Sequence, residues 1–298
     1  MKVAFLGVGA MGNGIASNIA KAGFDLSVWN IKDDFWKNAE SLERLGAKAC
    51  ESIEDAVKDA DLIGMSLTAD KIVSLVCEQI LPFVKKGAVV FDCSTTSPGC
   101  SKDMAEMFAK KGIGFLDTPV SGGIGGAEAG TLTVMIGGKE EDFQKTEPVI
   151  KAFSENYSLM GDVGAGETTK LINQLLTGVN QATVCEAMLI AEKAGLDMEK
   201  LYALLVTAWG SSKMLERSVL EYIIPKKFES AACLQLMLKD LDLTLKMADD
   251  LGYRAPLTEV ATSFYQSAKE QGIGKEDHSA IIKIMEEQNK KLSKEENS

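Results

Sequence analysis

Three kinds of residue are scarce in this 298-residue chain: it has one histidine, six cysteines and three arginines, Arg44, Arg217 and Arg254. The histidine, His278, stands in a polar segment with no second ligand at metal spacing, and it reads as a surface residue. The cysteines (Cys50, Cys77, Cys93, Cys100, Cys185 and Cys233) form no Cys-x-x-Cys pair, which leaves no zinc motif and no disulfide framework. Buried, reduced thiols are expected instead, and no metal site. Positive charge is also short: the net charge is −11, whereas a nucleic-acid partner needs clustered cations. With so few arginines, an anionic ligand must be held mainly by lysines, backbone amides and helix ends. Long apolar runs are missing as well. The opening Val3 to Leu6 follows Lys2 but breaks at glycines and at Asn13 and Asn18, so neither a secretory signal nor a membrane span is read. A cytoplasmic location is expected. With 46% hydrophobic and 25% charged residues, the composition is that of a folded globular chain, long enough for two modest domains.

What is present begins at once. A short apolar run, Lys2 to Leu6, breaks into Gly7-x-Gly9-x-x-Gly12, with Ala10 and Met11 inside the turn, and then into a helical stretch over 14–22 closed by Gly23. Strand before and helix after give the triplet a dinucleotide-binding sense. Gly7 permits the tight turn, Gly9 lets a pyrophosphate approach, Gly12 lets the helix pack on the strand, and the helix end faces the phosphates. The alternation continues. Strands are read at 25–29, 48–50, 62–67, 88–92, 114–119 and 131–136, with helices at 34–45, 52–58, 70–83, 97–111 and 140–153. From about Gly161 strand runs cease, and a long helix is predicted over 168–194, reaching into both domains. The polar tail from Glu286 to Ser298 reads as a solvated, frayed end. The expected architecture is α/β: an N-terminal Rossmann-like doubly wound sheet over 1–162 and an all-α domain over 163–298.

Three further motifs carry candidate chemistry. Pro119-Val120-Ser121-Gly122-Gly123 could offer a hydroxyl and amides to a substrate carboxylate, or be a plain turn. Gly164-Ala-Gly166-Glu167 leads into a helix on which Lys170, Asn173 and Gln174 share a face. Partial burial and the positive helix end would both depress the pKa of Lys170 and suit it to general acid/base work; a snorkelling surface lysine is the alternative. Met237-Leu-Lys239-Asp240-Leu is an ion pair that either sits on an exposed helix face or projects into a cleft.

Together with Asp92-Cys93-Ser94-Thr95, Asp117-x-Pro119 and Gly130-Thr131-Leu132, these segments resemble the β-hydroxyacid dehydrogenase family across essentially the whole chain. The resemblance implies that Lys170 is the catalytic lysine and that Ser121, Gly122 and Gly123 bind the substrate carboxylate. It implies that Leu67, with Thr95 or Thr96, borders the nicotinamide, with Thr68 and Lys239 also on the cofactor side. Asn173, Gln174, Lys239 and Asp240 are implied as substrate ligands, the second domain as a builder of a homodimer or homotetramer. The chemistry would be hydride transfer between a nicotinamide cofactor and a small 3-hydroxy acid or its semialdehyde. Three residues depart from the family's habit: Gln174 where asparagine is usual, Thr68 where proline often stands, and Ala232 in place of an aromatic, which would widen the pocket floor. For cofactor choice, Asn30, Ile31 and Lys32 follow the second strand; Asn30 lacks the acid that repels a 2′-phosphate and Lys32 could contact one, while Asp33 and Asp34 pull the other way, so NADP is favoured over NAD. Competing readings are a decarboxylating sugar-acid dehydrogenase, for which the chain is short, and a non-catalytic cofactor-binding relative, which an intact Lys170 opposes.

Overall fold

A computed structural model describes residues 1–30, 35–229 and 232–295. Contacts divide the chain into two compact units, Met1–Lys170 and Leu171–Ser298, and the division falls inside one helix, α8 (Ala165–Lys193).

The first unit runs β1 (Lys2–Leu6), α1 (Ala10–Lys21), β2 (Asp25–Trp29), α2 (Phe35–Glu43), β3 (Lys48–Ala49), α3 (Ile53–Val57), β4 (Leu62–Met65), α4 (Asp70–Ile80), β5 (Val89–Asp92), α5 (Pro98–Ala109), β6 (Gly114–Asp117), β7 (Val120–Ser121), α6 (Gly123–Ala129), β8 (Leu132–Gly137), α7 (Glu140–Phe153) and β9 (Ser154–Gly161), then the start of α8. The strand order is β3-β2-β1-β4-β5-β6-β8-β7, with β9 also on β8. From β3 to β6 every pairing is parallel. Side chains of alternate residues leave a strand on opposite faces, and β1 shows it: Val3 and Phe5 enter one core cluster, Ala4 and Leu6 the other. Helices on both faces bury β4 and β5 completely, which is why Leu-Ile-Gly-Met and Val-Val-Phe-Asp read as continuous rather than alternating runs. Each buried Val, Ile or Phe there contributes roughly 1.5–3 kcal/mol of burial energy. Helix starts are set by capping side chains: Ser52 accepts from Asp55 N–H, and Ser97 accepts from Cys100 N–H with Pro98 in the first turn. Gly23, at φ +84°, ends α1.

Beyond β6 the sheet becomes mixed, because β8 runs antiparallel to both β6 and β7 and parallel to β9. Three elements there have no counterpart among the expected ones. The two-residue β7 is short, and α6 is built from Gly-Ile-Gly-Gly-Ala-Glu-Ala, a composition that reads as a turn. The third, β9, is an outer strand whose side chains are mostly exposed, with two register shifts against β8, so it shows no apolar alternation.

The second unit holds the rest of α8, then α9 (Met198–Leu205), α10 (Lys213–Ser218) continuing as a π-helical turn (Val219–Ile223), α11 (Leu234–Asp250), α12 (Pro256–Glu270), a 3-10 turn (His278–Ala280) and α13 (Ile281–Glu295). Its core gathers Cys185, Met188, Val219, Leu238, Leu241, Tyr265 and Ile284. Gly178 is the α8 glycine that lies in this unit, and an added Cβ would stand 2.9 Å from the Leu241 side chain, so its lack of a side chain lets α11 approach. Tyr265 donates from its hydroxyl to the Gly178 carbonyl at 3.3 Å.

Two expectations are corrected here. His278 is not a surface residue: it is buried, and burial drives its imidazole down to about 4. Its polar neighbours are buried because they satisfy each other. Arg217 donates to both carboxylate oxygens of Asp277, which also accepts from the Ser279 amide at 2.9 Å and hydroxyl at 2.6 Å. The polar tail is likewise not frayed through its length, since α13 extends to Glu295 on the anchorage of Ile281, Ile284 and Met285. The expected thiols are as read: Cys50, Cys77, Cys93, Cys100 and Cys185 are free and buried, while Cys233 is half-buried. Among the described residues no helix is long and apolar enough to cross a membrane, and no group of three metal-ligating side chains is present.

Candidate active site

In the first unit the glycine triplet runs from the end of β1 into the first turn of α1. Gly7, at φ +90°, has no room for a side chain, as an added Cβ would stand 2.4 Å from the Ser66 carbonyl oxygen. Gly12 is tighter still, with the Gly7 carbonyl oxygen 1.9 Å from where a Cβ would be. Gly9 is different: it is exposed and nothing lies within 4 Å of its missing Cβ. It caps α1 without a side-chain hydrogen bond, and no acidic residue sits in that first turn. The amides opening α1 at Ala10, half-buried Met11 and Gly12 are therefore not served by a capping side chain. An uncapped helix start beneath an open glycine fits a dinucleotide pyrophosphate. Asn38 steadies the loop by donating to the Val8 carbonyl at 2.7 Å. Asn30 is half-buried directly after β2; Ile31, Lys32, Asp33 and Asp34 lie outside the described residues.

The ends of β4 and β5 are stitched together. Ser94 accepts from the Leu67 amide at 2.8 Å, while its own amide donates to Asp92 at 2.9 Å. Leu67 and Thr95 are half-buried, Thr68 is exposed and Thr96 is fully buried. Of the two threonines, Thr95 is thus the one available to a ligand. Ser121 is half-buried at the end of β7, and Gly122 (φ +134°) and Gly123 (φ +64°) are exposed at the start of α6.

Sequence reasoning quoted Asp92, Asp117 and Glu167 without giving them a role, yet they are the most distinctive group in this unit. All three are carboxyl side chains no more than 1% exposed. Asp117 takes the Gly164 and Glu167 amides at 2.8 Å each, and so caps the start of α8 from the end of β6. Its carboxyl is seated between Gly137 and Gly166, where an added Cβ would come within 2.4 Å and 2.9 Å of it. Burial raises the Asp117 pKa, against the pull of those amides. A recurring Gly-x-Gly before a helix was the available signal; a partner 47 residues upstream leaves none. Lys170 follows one turn after Glu167 and is 6% exposed. The snorkelling alternative does not describe so buried a lysine.

In the second unit four expected residues form one string. Asn173 donates to the Gln174 amide oxygen at 2.9 Å, Gln174 donates to Asp240 at 2.6 Å, and Lys239 stands 3.0 Å from the other Asp240 oxygen. Gln174 and Asp240 are buried, while Asn173 and Lys239 at the ends are half-buried. The Lys239–Asp240 pair is thus no exposed surface pair. Ala232 is exposed, with its carbonyl accepting from the His278 amide at 3.1 Å.

Comparison with known proteins places the fold in a family. Residues 2–161 match the family described as the NAD binding domain of 6-phosphogluconate dehydrogenase, and residues 164–285 match the NAD-binding family of NADP-dependent 3-hydroxyisobutyrate dehydrogenase. Over 290 residues the chain is 35% identical to 2-(hydroxymethyl)glutarate dehydrogenase of Eubacterium barkeri, covering 96% of this chain and 95% of that protein. It is 33% identical to 2-hydroxy-3-oxopropionate reductase of Escherichia coli (strain K12), covering 96% and 97%. The crystal structure of 3-hydroxyisobutyrate dehydrogenase from Salmonella typhimurium superposes with a TM-score of 0.87 at 31% identity, covering 95% and 99%. The chain belongs to the β-hydroxyacid dehydrogenase family and is an NAD(P)-dependent oxidoreductase of small hydroxy acids and semialdehydes.

Proposed function

We propose that the enzyme interconverts a primary alcohol and an aldehyde carried on the carbon next to a carboxylate, with Lys170 as the general acid/base. The substrates named for the relatives, 2-(hydroxymethyl)glutarate, 2-hydroxy-3-oxopropionate and 3-hydroxyisobutyrate, share that unit and differ in what else the central carbon bears. The observation that carries the reading is the burial of Lys170 one turn into a helix whose first amides are held by a buried carboxyl group. A lysine with that placement is costly as a structural residue and suited to moving a proton.

When bound, the nicotinamide supplies the hydride donor and acceptor. In reduction the Lys170 ammonium gives its proton to the carbonyl oxygen as negative charge grows there; in oxidation the neutral amine takes the alcohol proton back. Ser121 and the amides of Gly122 and Gly123 hold the carboxylate and fix the carbonyl's orientation. Gly7, Gly9, Ala10, Met11 and Gly12 cradle the pyrophosphate, and Leu67, Thr68, Thr95 and Lys239 line the nicotinamide side, with Thr96 turned inward to Glu167. Asn30, Ile31 and Lys32 set the choice at the adenine ribose, for NADP over NAD. Asn173, Gln174, Lys239 and Asp240 provide polar groups for the substrate; within them the Gln174 amide is engaged on both sides, so Asn173 and Lys239 make the direct contacts.

In domain terms, residues 1–162 bind the cofactor and 163–298 serve the substrate and assembly into a homodimer or homotetramer. Exposed Ile190, Leu204, Trp209, Leu257 and Val260 in the helical unit favour assembly. Six free cysteines suit a cytoplasmic setting. The deciding experiment is the initial rate of NADPH and NADH oxidation with 2-formyl carboxylates of increasing size, beside Lys170→Ala. Turnover reduced on the order of 10²–10⁴-fold in the variant is expected; retention within tenfold would remove Lys170 from the chemistry.

A further inference from the structure

Glu167 is fully buried in the first turn of α8, and its Oε1 accepts from the Thr96 hydroxyl at 3.0 Å. The Thr96 backbone N–H donates to the same carboxyl group. Both of this threonine's donors are thus turned inward, and its side chain has no surface to offer a ligand, whereas the residue before it, Thr95, is half-buried. The main chain of Glu167 is tied as well, its amide donating to Asp117. One residue therefore joins three pieces of the first unit: the segment after β5, the end of β6 and the helical turn that leads to Lys170.

We propose that Glu167 is a positioning residue that locks the Thr95–Thr96 segment to the first turn of α8, so that Thr95 borders the nicotinamide in fixed register with the turn carrying Lys170. The inference rests on the cofactor reading above. Burial, followed by the charges of Asp92 and Asp117, raises the Glu167 carboxyl well above its ordinary range. Its second oxygen, Oε2, has no hydrogen-bond partner among the described residues, so the junction with Thr96 is made through Oε1. Glutamine, neutral and with the same carbonyl acceptor, should replace it; alanine should not.

The test titrates NADPH and NADH against full-length protein by nucleotide fluorescence, with thermal melts alongside. Thr96→Val should weaken binding of the preferred nucleotide about tenfold, the worth of one buried hydrogen bond, and Glu167→Ala, which also loses the bond from the Thr96 amide, by at least as much. Glu167→Gln should stay within about twofold of wild type, since it keeps that bond. The double variant Glu167→Ala/Thr96→Val should bind no more weakly than Glu167→Ala alone, because the alanine already removes the whole junction. Should Glu167→Ala fail to fold, Thr96→Val and Glu167→Gln still decide. A lowered melting temperature with unchanged affinity would reduce Glu167 to a structural residue and overturn the proposal. So would additive losses, which would place Thr96 on the nucleotide itself, or a Glu167→Gln as impaired as alanine. Absence of nucleotide binding by the wild type would instead overturn the cofactor reading, and this inference with it.

Discussion

The two units solve the placement of polar groups in opposite ways. The first brings backbone to its site: Gly7, Gly9 and Gly12 clear space around the helix start, and the buried acids Asp117 and Glu167 hold loops through amides. The second brings side chains, four of them in a string between α8 and α11. Backbone placement demands particular residue types at fixed spacing, since only glycine lacks a Cβ. Side-chain placement tolerates many sequences, provided each polar group finds a partner. Spacing alone therefore marks the first unit, whereas in the second the residues are named by resemblance and only the folded structure joins them.

Matched glycine substitutions should separate the two strategies by the largest margin. In Gly12→Ala the new methyl meets backbone, 1.9 Å from the Gly7 carbonyl oxygen, which cannot move without opening the loop. Loss of measurable nucleotide binding is expected, with destabilisation of about 3 kcal/mol or more in urea melts. In Gly178→Ala the methyl meets the Leu241 side chain, whose end can rotate away, so a cost of about 1–2 kcal/mol and intact nucleotide binding are expected. Equal losses of binding in the two variants would erase the distinction between the units.

Acid should act on the units with opposite sign. In the second unit burial holds His278 near 4, below its ordinary 6.5. As pH falls from 6.5 toward 4 the unfolded chain takes up a proton that the folded one refuses, so stability falls, by up to about 3 kcal/mol. Asp277, held down to about 2 by Arg217 and Ser279 against the cost of burial, extends the loss below pH 3.8. In the first unit burial raises both Asp117 and Glu167, so the folded state holds protons that the unfolded chain releases. Their contribution is present at acid pH and is lost as pH rises above the ordinary carboxylate range. Hydrogen exchange at pH 5 and pH 6.5, corrected for intrinsic rates, should show α11 and α13 losing protection in acid while β5 and β6 do not. His278→Asn should flatten the response of the helical unit; an unchanged slope would assign it to other groups.

What could be read from the sequence follows the same division. The alternation of short apolar runs with helices located β1, β2, β4, β5, β6 and β8 to within a few residues, because strands covered on both faces must be apolar throughout. It failed at β9, whose outer position exposes Glu155 and Asn156 and removes the pattern. It failed again at His278, since Asp277 and Ser279 look like surface until Arg217, 60 residues away, is seen to pair with Asp277, which in turn accepts from Ser279. The glycine turn and the Lys170 helix were legible as motifs. The buried acids were not: a glutamate at the surface and one raised by burial are spelled alike, and only the fold supplies the desolvation.

The smallest expected effect lies at the rim of the first unit, where neither backbone crowding nor a buried network is at stake. Asn30 follows β2 directly and is half-buried, in the place where an acid would accept from ribose hydroxyls and repel a 2′-phosphate. Asn30→Asp adds one negative charge to a partly solvated site without changing side-chain size. At an effective dielectric near that of a protein surface, a charge pair several ångströms apart is worth about 1–2 kcal/mol, so the ratio of kcat/KM for NADPH over NADH should fall about tenfold, with melting temperature unchanged. Salt should shrink the shift, because the site is open to screening. A ratio that does not move at low ionic strength would take the ribose out of reach of Asn30 and leave the choice of cofactor to other residues.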